Sequence, residues 1–268
     1  MGFPPFLFTA IRQVVAGLLL LGAMVLWQGL KLSGQYLVRQ LVAGFLLITL
    51  GNGLVAWAEV YVPSGVAAVL CATLPAVVIA INMVIYRVRP TDVVIAGIVL
   101  GLAGMVVMFS EHLTDLGRTE YRLGIGCTLL AVLSWAAGSV WLKHTAQDDH
   151  PFVNAAWQML FGGLICFLFS GFLGEFPVAV WKTETTFALL YLIFFGSLLA
   201  YACYLFALRN LPIDLVSTYA YVNPVVAVVL GWLVLDEKLN AKIWLGVGLV
   251  LAGIFLVNGS YRVFKRRV

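Results

Sequence analysis

Two stretches decide how this chain reads. They are Pro63–Ser110, PSGVAAVLCATLPAVVIAINMVIYRVRPTDVVIAGIVLGLAGMVVMFS, and Pro212–Gly259, PIDLVSTYAYVNPVVAVVLGWLVLDEKLNAKIWLGVGLVLAGIFLVNG. They align without a gap at a constant offset of 149 residues, the separation of Pro63 from Pro212. Pro75 falls on Pro224 and Gly97 on Gly246, and Leu102-Ala103-Gly104 falls on Leu251-Ala252-Gly253. Upstream, Pro5-Phe6 matches Pro151-Phe152, and Gly17-Leu18 matches Gly163-Leu164. Gly124 to His144 has no mate in the first copy. An internal repeat in a strongly apolar chain is a mark of secondary transporters.

Composition sets the solvent. Apolar residues make up 63% of the chain and charged residues 10%, against roughly half and a quarter in soluble domains. Lipid must therefore face much of the surface. The net charge of +4 is scattered between apolar runs, which gives no footprint for nucleic acid. Cys71, Cys127, Cys166 and Cys203 all lie inside apolar runs without metal-ligand spacing, and read as packing residues. No cofactor is expected. The apolar run after Arg12 is read as a retained helix rather than a signal peptide.

Nine windows are long and apolar enough to span a bilayer: 6–27, 38–58, 64–86, 92–110, 123–143, 152–173, 187–208, 214–235 and 242–261. The basic residues divide ten to six between the two sets of helix ends. Lys31, Arg39, Arg87, Arg89, Lys143, Arg209, Arg262, Lys265, Arg266 and Arg267 form the larger set. The positive-inside rule places that set in the cytoplasm. The C-terminus is then inside and the N-terminus outside. Each repeat pair lies five spans apart, so the two copies have opposite orientation.

The residues carry a family pattern. Gly51-Asn52-Gly53, Ala58-Glu59 and Val62-Pro63-Ser64-Gly65-Val66-Ala67-Ala68 resemble the first repeat of EamA-type permeases of the drug/metabolite transporter superfamily. Ser134-Trp135-Ala136-Ala137-Gly138-Ser139-Val140 is similar to that family's sixth helix. Ser217-Thr218-Tyr219-Ala220-Tyr221-Val222-Asn223-Pro224 is similar to its ninth, with the Glu237 turn following. The resemblance implies an all-α polytopic membrane protein of two inverted-topology repeats. Residues 5–110 are the first repeat, four helices of an expected five, and 123–261 the second with five. The family arrangement has ten helices; nine are expected here, without the first. The resemblance further implies an inner-membrane carrier that exports small organic metabolites, such as amino acids, their derivatives or drug-like compounds. A second reading is a non-transporting or truncated relative that inserts but cannot enclose a site.

Polar side chains within spans are the candidate site. The substrate-binding set is Asn52, Thr73, Trp135, Ser139, Tyr201, Tyr204, Tyr221 and Asn223, expected near the midplane between the repeats. Tyr201 and Tyr204 share a helix face, and aromatic walls with hydroxyl tips suit an amphipathic solute. Asn223 precedes Pro224, whose missing N–H frees a carbonyl and is expected to kink the helix, as Pro75 does in the other copy. Glu59, Pro75 and Pro224 are the gating candidates. The alternative readings are plain packing with satisfied hydroxyls for the tyrosines, a capped kink for Asn223 and a solvated helix-end charge for Glu59. Asn154 and Gln158, four residues apart, read as interhelical hydrogen-bond partners. Arg12 is expected to run outward toward the interface. His144, Asp148, Asp149 and His150 form a short polar cluster read as solvated, with no metal expected. Gly97, Gly101, Gly104, Gly246, Gly248 and Gly253 line equivalent faces, read first as helix packing and second as a homodimer seam. The partners expected are a small-molecule substrate and the bilayer. No catalytic motif is present, so no enzyme is expected.

Overall fold

The computed structural model describes residues 3–28, 33–110, 119–146, 149–235 and 240–265, those at 28, 227, 230, 231, 234, 235 and 260–265 by backbone alone. Lys31, Arg118, Asp148, Glu237, Lys238, Arg266 and Arg267, which entered the sequence reading, lie outside the described residues. Nine helical segments run through the described chain. They are α1 Pro5–Gln28, α2 Gly34–Ala58 and α3 Ser64–Tyr86; α4 Asp92–Met108, α5 Thr119–Thr145 and α6 Pro151–Phe172; and α7 Thr183–Asn210, α8 Ile213–Ser217 continued by Tyr219–Leu235, and α9 Ala241–Lys265. Seven meet the length and hydropathy of a membrane span, and α4 is a shorter apolar helix. No strand occurs among the described residues.

The ends of the segments follow from local chemistry. The Ser33 hydroxyl accepts from the Tyr36 N–H at 3.2 Å and caps α2, while Asn240 Oδ1 accepts from the Ile243 N–H at 2.9 Å and opens α9. Pro63 and Pro212 occupy the N-cap positions of α3 and α8, where a missing N–H carries no penalty. Side chains such as Leu26, Trp27, Phe172 and Phe255 are exposed along the spans, the pattern of a lipid-facing surface.

The chain divides into two compact units that each draw on both halves of the sequence. The first holds residues 1–57 and 137–210: α1, α2, the last part of α5, α6 and α7. The second holds 58–136 and 211–268: α3, α4, the first part of α5, α8 and α9.

Each unit is built on a pair of antiparallel helices that are mates in the sequence repeat. In the first unit, a Cβ on Gly17 would lie 2.8 Å from the Leu160 nitrogen, and one on Gly163 would lie 2.9 Å from the Val14 nitrogen. In the second, Gly97 and Gly253 abut each other's carbonyls, with a Cβ on either at 2.7 or 2.5 Å, and Gly104 and Gly246 do so at 2.7 Å each. These contacts are reciprocal. Exchanging each residue for its repeat mate turns Gly97–Gly253 into Gly246–Gly104. Only an antiparallel pair related by a local twofold does this, so the inverted topology is visible in the packing itself. Gly97, Gly101, Gly104, Gly246 and Gly253 serve close packing within the chain, whereas a Cβ on Gly248 would meet nothing within 4 Å.

The interrupted helices depart from expectation. α3 breaks at Ala72–Thr73, so Pro75 sits in the first turn of the resumed helix Leu74–Tyr86. α8 breaks at Thr218, six residues before Pro224, which lies inside Tyr219–Leu235. Each break falls at a threonine, and the one in α3 also lies in the turn before Pro75. The Thr73 hydroxyl donates to the Leu70 carbonyl at 2.6 Å and its N–H to the same carbonyl at 3.0 Å. Thr218 does the same to Leu215, at 2.7 and 3.3 Å. A hydroxyl that bonds back along the helix tightens and bends it. The offset from Thr73 to Thr218 is 145 residues, so the gapless alignment slips by one helical turn at the break.

A second irregularity was not expected. Phe45–Gly53 in α2 and Leu192–Leu199 in α7 are π-helical. These lie on spans paired by the repeat. Long π stretches are rare and gather at functional positions.

Candidate functional site: a buried polar chain in the first unit

The first unit carries polar side chains where a membrane protein can least tolerate them. Gln13, Gln40, Gln158, Thr49, Ser170 and Ser197 are each at most 1% exposed. Gln158 on α6 is the hub. Its Nε2 donates to Gln40 Oε1 on α2 at 2.6 Å, and its Oε1 accepts from the Tyr201 hydroxyl on α7 at 2.6 Å. One amide thereby ties three helices. Tyr201 stacks on Tyr204 with ring centroids 6.2 Å apart. The Tyr204 hydroxyl meets the Ser139 hydroxyl of α5 at 2.5 Å. Further along α6, Asn154 Oδ1 accepts from the Tyr36 hydroxyl at 2.9 Å.

The ends of this unit are tied by charge. Arg39 pairs with Asp149 and donates to the Thr145 carbonyl at 2.8 Å. Lys143 Nζ donates to the carbonyls of Leu208 and Arg209, at 2.8 and 3.0 Å, near the C-terminus of α7. There a cation complements the helix dipole. Glu175 is buried, and its carboxylate accepts from the Leu7 N–H at 2.8 Å and the Phe6 N–H at 3.4 Å, closing the N-terminus of α1. Among the described residues no cluster of three metal-ligating side chains forms.

The predicted residues fall into both units. Ser139, Tyr201 and Tyr204 join the chain just described, and Asn52 is half-buried on the π-helical stretch of α2. Asn154 and Gln158 are the interhelical partners the spacing suggests. Thr73, Trp135, Tyr221 and Asn223 belong to the second unit. Thr73 forms the break in α3, and Trp135 is half-buried on α5. Tyr221 is fully enclosed: its ring lies over Gly101, and its hydroxyl donates to the Ile98 carbonyl at 3.0 Å. Asn223 is exposed on α8. Glu59 is exposed just past α2, and Pro75 and Pro224 are buried. Arg12 differs from expectation. It does not run clear of the protein: its Nε is closed off, and its Nη1 lies 3.6 Å from where a Cβ on Gly196 of α7 would sit.

The sequence reading passed over Gln40, Gln13 and the π stretches. A usable signal existed for the glutamines, since each stands in an apolar span, where a primary amide is costly unless bonded.

Inverted helical repeats, irregular helices at repeat-related positions and a buried polar chain define a polytopic transporter-type membrane protein. The chain belongs to the EamA-like transporter family, whose model matches residues 1–110 and 122–259. It is 34% identical over 262 residues to the uncharacterized inner membrane transporter YedA of Escherichia coli (strain K12), covering 97% of this chain and 83% of that protein. It is 24% identical to the uncharacterized transporter YoaV of Bacillus subtilis (strain 168), covering 99% and 90%. A solved structure bearing only the description "Crystal structure of protein" superposes with a TM-score of 0.80 at 19% identity, over 98% of this chain and 90% of that one; it shows a shared fold.

Proposed function

We propose that the chain is an inner-membrane secondary carrier that exports small amphipathic organic solutes, such as amino acids, their derivatives or drug-like compounds, by alternating access. The observation that carries this reading is the Gln40–Gln158–Tyr201 chain with the adjoining Tyr204–Ser139 pair. A packing role alone would be met more cheaply by apolar side chains, because hydrogen bonds between spans contribute little net stability. Polar groups kept in a span are more economically explained by a solute that uses them. Stacked tyrosines offer a flat apolar wall, while the amides and hydroxyls offer both donors and acceptors.

In this reading Tyr204, half-buried at the open end of the chain, contacts solute, with Tyr201 and Ser139 behind it. Asn52, Thr73, Trp135, Tyr221 and Asn223 remain substrate-binding proposals on their own helices, and Glu59, Pro75 and Pro224 gating ones. The C-terminus is cytoplasmic and the N-terminus external. The bilayer is the required partner, and a homodimer is a secondary proposal.

The test is reconstitution of the full chain in liposomes, with efflux measured for a panel of labelled neutral amino acids and their amide and N-acyl derivatives. Transport of at least one compound above empty liposomes is expected, with Tyr204→Phe reducing it while leaving assembly intact. No transport of any compound by correctly folded protein would refute the carrier reading.

A further inference from the structure

Arg12 is the one charged residue in the 24 residues of α1, and it lies seven residues from the helix start, about 10 Å along the axis. The other described lysines and arginines of the first unit are paired, bonded to carbonyls or exposed. Arg39 pairs with Asp149, Lys143 holds helix-end carbonyls, and Lys182 and Arg209 are exposed at the ends of α7. Arg12 has no ion pair among the described residues, and its enclosed Nε has no hydrogen-bond partner there. The neighbouring spans offer almost no carboxylate for it, and the unit's buried Glu175 is engaged by the Phe6 and Leu7 N–H groups. α1, α2, α6 and the α5 segment of this unit contain no Asp or Glu, and the only one on α7 is Glu184 in its first turn.

The surroundings are shaped to admit the guanidinium. Gly196 presents no side chain where Nη1 approaches, and it lies within the π-helical stretch Leu192–Leu199. Gln13 Oε1, on the next residue of α1, and Ser197 Oγ, on the residue after Gly196 in α7, are among the buried polar atoms of this unit that lack partners. A half-buried arginine whose Nε is closed off and which has no counter-ion among the described residues offers its planar fork of donors to an oxyanion.

We infer that Arg12 is the anion-binding residue of the carrier and that its solutes bear a carboxylate, as free acids or zwitterions rather than as cations. The inference rests on the carrier reading above and narrows its substrate class. A solute carboxylate supplies an acceptor for the unpartnered Nε and a counter-charge for the guanidinium. The same oxyanion chemistry exists in lipid phosphates, so the test separates the two sources.

Phenylglyoxal modification of arginines in the detergent-purified full chain, read residue by residue by mass spectrometry, uses the other arginines as internal references. The probes are acetate, 4-methylpentanoate and benzoate, each against its uncharged amide. At least one acid should slow labelling of Arg12 about tenfold at saturation, the ratio that follows from a charge-assisted contact of this kind, and its amide should not. Arg12→Gln should weaken binding of that acid by a similar factor, measured by equilibrium dialysis, with Arg12→Lys intermediate. Three results overturn the inference: an Arg12 that never reacts, equal protection by acid and amide, or protection by phosphatidylglycerol micelles without any solute. Protection of Arg12 in a protein that transports nothing would keep the anion site and remove the carrier reading. Transport untouched by Arg12→Gln would do the reverse.

Discussion

Replacing Gln158 by leucine keeps the volume of the side chain and removes both polar ends. The structure shows what is left behind: a Gln40 carbonyl oxygen without its donor and a Tyr201 hydroxyl without its acceptor, both in residues at most 4% exposed. A buried polar group without its partner costs about 1–3 kcal/mol, reduced toward about 0.6 kcal/mol per bond where the unfolded chain in lipid finds substitutes. Two such groups give an expected loss of roughly 2–4 kcal/mol on that basis. The sharper test is a cycle. Tyr201→Phe in the wild-type background strands the Gln158 oxygen and should destabilise by roughly 1–2 kcal/mol. In the Gln158→Leu background the Tyr201 hydroxyl has already lost its partner, so its removal should be neutral or stabilising. The assay is reversible unfolding in mixed micelles followed by circular dichroism. Equal costs for Tyr201→Phe in the two backgrounds would refute the hub.

Other expectations follow from single contacts. Glu175→Gln exchanges a carboxylate for an amide on the Phe6 and Leu7 N–H groups and should lower unfolding stability by about 1 kcal/mol; an unchanged melting curve would show that the clamp is idle. Gly104→Ala places a methyl 2.7 Å from the Gly246 carbonyl oxygen and 2.8 Å from the Val250 nitrogen, backbone atoms that can yield only if α4 and α9 separate. It should cost about 1–3 kcal/mol, whereas Gly248→Ala, with nothing within 4 Å of its Cβ, should be near neutral. Reporter fusions at Val268 should be active on the cytoplasmic side, and an active external reporter there would reverse the proposed orientation.

The fold was readable because lipid simplifies the rules. Each span must satisfy its own backbone, so nine apolar windows give nine helical segments among the described residues, and a repeat at fixed offset gives their inverted mates. Pro75 and Pro224 lie on the two interrupted spans, but not at the residues where the helices break. Proline announces a break by its missing N–H, yet that donor is idle in the first turn of a helix, where Pro75 sits. Thr73 and Thr218 announced their breaks only by a hydroxyl, a group that lies flat along an undisturbed helix just as often.

The site was harder, for a reason that concerns distance rather than type. Ser139, Tyr201 and Tyr204 were visible as polar residues in apolar runs, and they do converge. Gln40 stood in the same kind of run. It was passed over because its importance lies in Gln158, 118 residues away, and pairing across that interval has no periodic trace in one sequence. Arg12 was incompletely read. A basic residue near a helix end is normally explained by a reach toward water, and seven residues from the end that reach is available to an arginine. In the structure Arg12 is half-buried, its Nε closed off and its Nη1 near Gly196 of another helix, where there is no side chain to meet it. A glycine in an apolar run says only that something approaches closely, and the residue that approaches is known once the helices are packed.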